Sequence, residues 1–325
     1  MKRFSIGLCF IFLVCVMALP TLTPQAQAYP DRPITLVVPL PPGSAVDTAA
    51  RLLLEDLKKD LGQEVVILNK PGASLTVGTG LVARSKKDGY TVAYTATSGV
   101  VYARVTKPEI VPYDTDKDLE PLGLHLYLPL AIAVQASSPW KTFEEFLDHA
   151  KKNPGKVRIG TNGVASIDRF NLEIIQAETG VKFTHIPFKG GDATTASVLG
   201  GHVEAISHAY AILRSHVAAG KLRLLLMSRK VPDDPQVPTF PELGYKSRLL
   251  SGWFAFYAPA GIPAEVKDAL VRAVAKAIKN PDTTAKLNKM GYVVDYQPPD
   301  ELRKIAREEY EKGCEIAVKI GMRKK

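Results

Sequence analysis

Short apolar runs alternate along the chain with longer segments in which apolar positions recur every three or four residues. Residues 35–38 form the first run, a β-branched segment typical of a buried strand. A loop rich in proline follows, and then an amphipathic helical pattern over residues 45–61. Further strand patterns at 65–68 and 90–95 enclose another loop and helix. This alternation predicts an α/β unit of the doubly wound kind.

A second unit of the same kind follows, and the chain then returns to the first. Its strand patterns cover residues 128–134, 157–161, 183–186, 203–207 and 223–227, and its helical patterns cover 142–152, 167–179, 192–199 and 210–219. A strand at 253–257 and helices at 264–279, 283–290 and 300–320 complete the chain. Because more than one segment crosses between the units, hinge closure around a ligand is expected. We predict lobe one from residues 29–128 and 251–325, lobe two from 129–250, a mixed sheet flanked by helices in each, and a ligand cleft between them.

The N-terminal segment has the composition of an export signal. Lys2 and Arg3 precede an apolar stretch over residues 6–19, which is too short for a comfortable membrane span. The sequence Ala26-Gln27-Ala28 is a small-residue cleavage motif. We therefore predict a signal peptide over residues 1–28 and a soluble exported protein, with a lipid-anchored protein as the minor alternative.

Charge and motifs narrow the function classes. The formal net charge is +9, and residues 1–28 supply two of these charges and no acid, which leaves +7. The basic residues are dispersed in pairs beside acids, so we expect a solvated surface and no nucleic-acid partner. The sequence contains neither a P-loop nor a metal-binding or nucleophile-elbow motif. We therefore expect no enzyme activity, no cofactor and no metal.

The loop after the first strand offers candidate chemistry. Ser44 and Asp47 form a capping box in front of the first helix. Ligands of open α/β sheets bind where such loops lie, at the carboxyl ends of the strands. The unpaired N–H groups of a helix N-terminus suit an anion. Taken alone, this short stretch favours a well-capped turn without a ligand, because such turns between strand and helix are common.

Eight segments carry a resemblance that covers nearly the whole chain after residue 28. They are residues 29–39 (YPDRPITLVVP), 69–73 (NKPGA), 88–91 (DGYT), 185–191 (HIPFKGG), 199–203 (LGGHV), 219–223 (AGKLR), 238–244 (PTFPELG) and 257–261 (YAPAG). In this order they resemble the solute-binding proteins of tripartite tricarboxylate transporters, also called the Bug family. The resemblance implies a monomeric, two-lobed periplasmic protein of the type II kind. Such a protein captures a small carboxylic acid and passes it to membrane transporter subunits.

The resemblance also implies a site in which main-chain N–H groups and ordered water from two lobe-one loops hold the ligand carboxylate. In lobe one the candidate residues are Leu40, Pro42, Gly43, Ser44 and Asp47 in the first loop, Gly72, Ala73, Ser74 and Leu75 in the second, and Thr95 and Thr97 at a strand end. In lobe two they are Thr161, Asn162, Ser166, Lys189, Gly190, Gly191, Asp192 and His208.

Several of these assignments have structural alternatives. Asp47 either contacts the ligand through water or caps the Ser44 backbone, and Asp192 suits a helix cap. Lys189 either pairs with a second carboxylate or points to solvent. A lone histidine such as His208 is more often a packed core residue.

The sequence departs from the family pattern in the two loops. Leu40, the Pro41-Pro42 pair and Ser44 replace the usual phenylalanine, small-residue pair and glycine, and Leu75 lies where a glycine is usual. Leu75 makes the rim bulkier, so we expect a differently shaped pocket or a ligand with an apolar or aromatic body. Dicarboxylates, tricarboxylates, aromatic acids, amino acids and nicotinate-like acids stay open as ligands. A periplasmic sensor that signals to a membrane partner, and an enzyme on the same scaffold, are alternative functions.

Overall fold

The strands assemble into two mixed β-sheets. A computed structural model describes residues 29–323, so the predicted signal peptide lies outside the described residues. The strands are β1 (Ile34–Val38), β2 (Val65–Asn69), β3 (Thr91–Ala96), β4 (Leu119–Leu128), β5 (Leu130–Gln135), β6 (Arg158–Thr161), β7 (Thr184–Pro187), β8 (Ala205–Ala209), β9 (Leu222–Met227), β10 (Gly252–Pro259) and β11 (Val293–Gln297). One sheet has the order β11-β4-β10-β3-β1-β2 and the other β7-β6-β8-β5-β9.

Helices flank both sheets. They are α1 (Ala45–Leu61), α2 (Thr76–Ala83), α3 (Ala103–Thr106), α4 (Thr115–Asp118), α5 (Phe143–Lys152), α6 (Ile167–Thr179), α7 (Gly191–Leu199), α8 (Tyr210–Ala218), α9 (Ala264–Ile278), α10 (Pro281–Lys289) and α11 (Pro299–Lys319). A π-helical turn, Ser98–Tyr102, leads from β3 into α3. None of the helices within residues 29–323 combines the length and apolar composition that a membrane crossing requires.

Each sheet corresponds to one of the predicted units. We call the six-stranded sheet with its helices lobe one and the five-stranded sheet with its helices lobe two. The strands of lobe one come from residues 34–128 and 252–297, and those of lobe two from residues 130–227. The α/β fold with a mixed sheet in each unit is therefore confirmed, while the residue limits of the lobes stay a prediction.

The strand registers show that corresponding edges of the two sheets meet where the chain crosses over. In lobe one, β1 runs parallel to β2 and β3, and β4 ends at Leu128 on the same edge as their carboxyl ends. Pro129 alone separates β4 from β5. In lobe two, β6, β7 and β8 run parallel to one another. Leu130, the first residue of β5, pairs with Ala209 at the carboxyl end of β8. The carboxyl ends of both sets of parallel strands therefore approach each other at this crossover.

Packed side chains connect the lobes on two sides. Tyr102 stacks on Phe170 of α6 with ring centroids 5.5 Å apart, and one apolar core contains both residues. Tyr210 of α8 lies against the backbone at Gly291, where a Cβ would be 3.2 Å from its ring. The second crossover is the segment between β9 of lobe two and β10 of lobe one. A 2.7 Å hydrogen bond between the hydroxyl groups of Ser228 and Ser251 connects its two ends.

The strands around the first crossover and at the edge of lobe one differ from the sequence prediction, and α3 and α4 were not predicted. The strand predicted over residues 128–134 is two strands, because β4 ends at Leu128 and β5 begins only after Pro129. The pattern analysis assigned no strand to residues 119–127, which belong to β4, or to the edge strand β11. Prediction over β4 fails because nearly all its residues are buried, which removes the polar alternation of a half-exposed strand.

Candidate functional site

Two loops lie side by side at the carboxyl ends of β1 and β2. The main-chain N–H of Lys70 donates a 2.8 Å hydrogen bond to Val38, which continues the pairing of the two strands into the loops. In the first loop, Pro42 and Gly43 are exposed and Leu40 and Ser44 are half-buried. As predicted, Ser44 is the N-cap of α1, and its hydroxyl accepts a 3.3 Å bond from the N–H of Asp47.

Asp47 braces the first loop and does not face outward. Its carboxylate is buried and accepts bonds from Arg51 at 2.8 and 3.1 Å, from Asn69 Nδ2 at 2.9 Å and from the N–H of Gly43 at 2.8 Å. Burial opposes ionisation, but the hydrogen bonds from Arg51, Asn69 and Gly43 outweigh it and lower the pKa of Asp47 to about 2. The predicted cap on the Ser44 backbone is wrong by one residue, because the capped N–H belongs to Gly43.

The second loop contains a run of left-handed backbone. Ala73, Ser74 and Leu75 have φ values of +42°, +53° and +73°. For residues with a Cβ, this conformation costs roughly 1–2 kcal/mol each. Strain of this kind is concentrated at ligand clamps and active sites, where the surrounding structure maintains it. Gly72, Ala73 and Ser74 are exposed, so the loop presents its main chain to solvent.

Leu75 packs close to the turn that follows β3. A Cβ on Gly99 would lie 3.1 Å from Leu75 Cβ and 2.9 and 3.0 Å from the hydroxyl oxygens of Thr95 and Thr79, so a side chain at residue 99 would crowd this turn. The Thr95 hydroxyl is buried and lies 3.2 Å from that of Thr79. The Thr97 hydroxyl bonds both main-chain groups of Trp253, at 2.8 and 3.1 Å. Thr97 therefore braces β3 against β10 and has no hydroxyl hydrogen left for a ligand.

In lobe two, the loop after β6 is built around a buried threonine. The Thr161 hydroxyl lies 2.6 Å from His185 Nε2 and 3.0 Å from the Gly163 carbonyl oxygen. Burial, followed by the nearby Arg169, lowers the pKa of His185 to about 4, so the imidazole is neutral. Ser166 caps α6 through the N–H of Arg169, whereas the side chain of Asn162 is exposed.

The loop after β7 opens α7 with two glycines. Gly190, with φ +96°, is the N-cap and provides no side-chain cap. Asp192 is exposed in the first turn, so its predicted capping role is not met. Lys189 is also exposed, and Gly191 is half-buried. Within residues 29–323, no hydrogen bond engages the main-chain N–H of Gly191 or Asp192.

His208 is the buried polar group beside these donors. It lies one residue before the carboxyl end of β8, opposite Ala131 of β5, and is 4% exposed. Its Nε2 atom has no hydrogen-bond partner among the described residues. Burial lowers the pKa of His208, and Asp192 opposes that shift.

The facing edges are therefore rich in main-chain donors. Like the first turn of α7, the first turn of α1 has N–H groups, on Ala45 and Val46, that no acceptor within residues 29–323 engages. Among the nearby cations, Arg51 is held by Asp47, whereas Lys70 in the second loop and Lys189 in lobe two are exposed. Such an arrangement suits a carboxylate, whose charge several N–H groups share.

Two cavities lie away from these loops. One of about 680 Å³ borders β9 and the start of α5, and another of about 780 Å³ lies between α11 and the Ser228–Ser251 crossover. None of the predicted site residues lines either cavity.

Sequence reasoning missed three residues that shape the site. Asn69 ties the two loops together, Gly99 accommodates Leu75, and His185 orients Thr161. The sequence pattern could have indicated Asn69 as a site residue, because it is a polar residue directly after the apolar strand pattern at residues 65–68. Gly99 and His185 act through residues distant in sequence, which no local pattern reveals.

Two α/β lobes joined by crossover strands, with donor-rich loops on facing edges, define a two-lobed solute-binding protein. The sequence matches the tripartite tricarboxylate transporter family receptor, TctC, over residues 49–322. It is 30% identical over 303 residues to the protein BugT of Bordetella pertussis, a match that covers 93% of each chain. The chain therefore belongs to the TctC family.

Solved structures share the fold. A TctC solute-binding protein from Polaromonas superposes with a TM-score of 0.81 at 30% identity, covering 90% of this chain and 99% of that one. Rpa4515 of R. palustris with adipate superposes with a TM-score of 0.72 at 26% identity, covering 90% of this chain and 98% of that one. MatC of Rhodopseudomonas palustris with bound malate superposes with a TM-score of 0.67 at 26% identity, covering 89% of this chain and 99% of that one. These similarities confirm the family and the two-lobed fold.

Proposed function

We propose that this protein is exported to the periplasm, captures a small carboxylic acid between its lobes, and delivers it to the membrane subunits of a tripartite transporter. The observation that carries the proposal is the pair of lobe-one loops. They present the first turn of α1 and the left-handed main chain of residues 73–75 at one sheet edge. Adipate and malate, bound by the similar structures, are both carboxylates.

In this proposal the carboxylate exchanges its water shell for main-chain N–H groups. Each charge-assisted hydrogen bond contributes roughly 1.5–3 kcal/mol net. The Asp47–Asn69–Arg51 network holds the first loop in shape before the ligand arrives, which lowers the ordering cost of binding. The acid's remaining surface lies against lobe two when the lobes close.

Removal of one main-chain donor tests this role of α1. Ala45 is the first residue of α1, and its predecessor Ser44 has φ −66° and ψ 162°, a conformation that proline tolerates in the residue before it. The change Ala45→Pro therefore deletes an N–H while leaving the helix intact. Ala264→Pro is the matched control, because Ala264 is the exposed first residue of α9, outside the site, and follows Pro263 at φ −55° and ψ 147°.

The measurement is a thermal-shift screen with mono-, di- and tricarboxylic and aromatic acids. A ligand at about 100 times its Kd stabilises the protein by roughly 2.7 kcal/mol, a clear shift in melting temperature. We expect one class of acids to shift the wild type and the Ala264→Pro control, and Ala45→Pro to weaken binding about 10- to 100-fold. A response to neutral compounds but to none of the acids would overturn the proposal.

Export and delivery have separate tests. Sequencing of the secreted protein should give Tyr29 as its first residue. Deletion of the gene should abolish uptake of the bound acid, and a loss of signalling with intact uptake would indicate the sensor function instead.

A further inference from the structure

Strand β2 forms one edge of the lobe-one sheet and carries exposed apolar side chains. It pairs with β1 on one side and, among the described residues, with no strand on the other. Val66 is 55% exposed and Leu68 is 43% exposed, and no other strand within residues 29–323 has an exposed large apolar side chain. An apolar edge strand of this kind is a template for pairing with a further strand.

The other sheet edges are protected against such pairing. β7 ends in Pro187, which has no N–H to donate. β9 is covered at its carboxyl end, where Met227 forms a bridge with Thr239. β11 pairs irregularly with β4, and its Asp295 is held by Arg229. Within its five residues, β2 has none of these features.

Alternate residues of β2 turn their main-chain groups toward the free edge. Ile34 N–H donates a 2.9 Å bond to the Glu64 carbonyl oxygen, and Lys70 N–H donates a 2.8 Å bond to that of Val38. In a parallel pair, the residues of one strand that bond the neighbour are every second one, so the even-numbered residues of β2 face β1. The residues whose N–H and C=O groups point away from β1 are Val65, Ile67 and Asn69.

These outward groups fix the register in which a second copy can pair. In an antiparallel pair, two opposite residues exchange both of their main-chain hydrogen bonds. If Ile67 lies opposite Ile67 of a second copy, Val65 lies opposite Asn69 and every residue of β2 has a partner. The arrangement has a two-fold axis, so it closes as a dimer.

The side chains complement one another in the same register. Val66 lies opposite Leu68 of the second copy, in pairs without hydrogen bonds, where side chains approach most closely. One residue beyond each end of the strand, Glu64 lies opposite Lys70 of the second copy. Both are exposed, and the ion pair of Glu64 with Lys58 in its own chain lies at the surface. Opposite charges therefore meet at both ends of the paired strands.

We propose that two copies of this protein associate through β2, antiparallel and edge to edge, so that the two lobe-one sheets become continuous. The carboxyl ends of the parallel strands, with their ligand loops, then point in opposite directions and both clefts stay open. The inference does not depend on the proposed function, and it departs from the monomer that the family resemblance implies. One strand from each copy makes a small interface, so we expect weak association with a Kd of about 10–100 µM.

Sedimentation equilibrium tests the association. The exported protein is measured from about 1 µM to about 1 mM, a range that spans the expected Kd. The average mass should rise from that of one chain to that of two and then level off, because the symmetric contact uses up the free edge. The mass of a single chain at every concentration, or growth beyond two chains, would overturn the inference.

Charge reversal tests the register. Glu64→Lys and Lys70→Glu each bring like charges together at both ends of the paired strands, so each should weaken association about 10-fold. The double variant should regain the wild-type affinity. In one extended chain the two positions are roughly 20 Å apart, so this recovery requires contact between copies.

Glu311→Lys is the control for charge reversal. It makes the same change of charge at an exposed position on α11 and should associate like the wild type. Equal association of the wild type, both single variants and the double variant would place the contact on another surface and overturn the inference.

A nearly isosteric change tests the apolar contact. Val66→Thr keeps the shape of the side chain but adds a hydroxyl group at two places in the dimer, so association should weaken about 10-fold. Val164→Thr is the matched control, because Val164 is 59% exposed in lobe two. An equal effect of the two changes would contradict the proposed contact.

Amide hydrogen exchange followed by NMR locates the contact in the unaltered protein. Exchange of the Val65, Ile67 and Asn69 N–H groups should slow as the concentration rises through the Kd. The His185 N–H, which faces the free edge of β7, should exchange at a constant rate. Unchanged exchange along β2 in a sample that sediments as a dimer would overturn the inference.

Discussion

The side-chain amide of Asn69 lies 2.9 Å from Asp47 Oδ1 and 2.9 Å from the Leu40 carbonyl oxygen, so one residue at the end of β2 holds the loop after β1. Asp47 in turn binds the N–H of Gly43 within that loop. The shape of the first loop therefore depends on a side chain from the neighbouring strand. In the proposed function, this coupling is what holds the main-chain donors of the first loop in place for the ligand.

Replacement of Asn69 by alanine should loosen this loop. The change removes the two hydrogen bonds that Asn69 donates, one of them to a buried carboxylate, and a longer one that it accepts from Arg51, so we expect a loss of about 1–3 kcal/mol in unfolding free energy. Ligand affinity should also fall, because the donors are no longer held in place. Denaturant unfolding and calorimetry measure the two effects.

Asn153→Ala serves as the control for this change. Asn153 lies in the exposed turn after α5 and donates a 3.0 Å bond to the His149 carbonyl oxygen, outside the site. It should alter stability slightly and leave affinity unchanged. An Asn69→Ala protein that binds as tightly as wild type would contradict the bracing role.

Leu75 should select the body of the ligand. Leu75→Gly removes an apolar side chain from the rim of the proposed pocket. Acids with a hydrocarbon or aromatic body should therefore bind about 10-fold more weakly, while the affinity for malate should change little. Ala73→Gly is the matched control, because it relieves the same left-handed strain but removes only a methyl group. A ranking of acids that is the same in both variants would rule out this role for Leu75.

Asp168 should destabilise the folded protein increasingly as the pH rises from about 4 to about 7. Burial raises the pKa of its carboxyl to about 7, although hydrogen bonds from Ser207, its own backbone and Ser166 oppose the shift. An acid whose pKa is raised on folding opposes folding increasingly as the pH rises from its unfolded value, near 3.9, through the folded one. Asp168→Asn, which can still accept from Ser207, should therefore stabilise by about 2–4 kcal/mol at about pH 8.

Urea unfolding at several pH values tests this prediction for Asp168. The gain of the asparagine variant should disappear near about pH 4, where the unfolded carboxyl also begins to bind a proton. A gain that does not vary with pH would show that packing, and not ionisation, is responsible.

His125 should act in the opposite direction on acidification. It is fully buried, its Nδ1 lies 2.6 Å from the Tyr94 hydroxyl, and burial lowers its pKa to about 3. Because the unfolded histidine binds a proton near pH 6.5, stability falls as the pH drops below that value, by about 2 kcal/mol at about pH 5. His125→Gln should lack this loss.

The comparison for His125 is with His202→Gln, which changes an exposed histidine and should retain the wild-type slope of unfolding free energy against pH. If the unfolding free energies of wild type and His125→Gln fell in parallel as the pH drops, His125 would not be the cause of the loss.

The sequence predicts the sheets and loops well and the geometry within the loops poorly. The strands beside residues 40–44 and 70–75 follow from short apolar runs that end in proline and glycine. The left-handed turn does not, because alanine, serine and leucine carry no signal for positive φ. The unpaired nitrogen of His208 also escapes prediction, since its burial depends on the register of β8 against β5 and on the packing of α7.

The most direct measurement is a crystal structure with a bound acid that the thermal-shift screen selects. The account predicts the carboxylate within hydrogen-bond distance, directly or through one water, of main-chain N–H groups at the start of α1 and in residues 72–75. A carboxylate held by a lysine or arginine side chain elsewhere, such as in the cavity between α11 and the Ser228–Ser251 crossover, would contradict it.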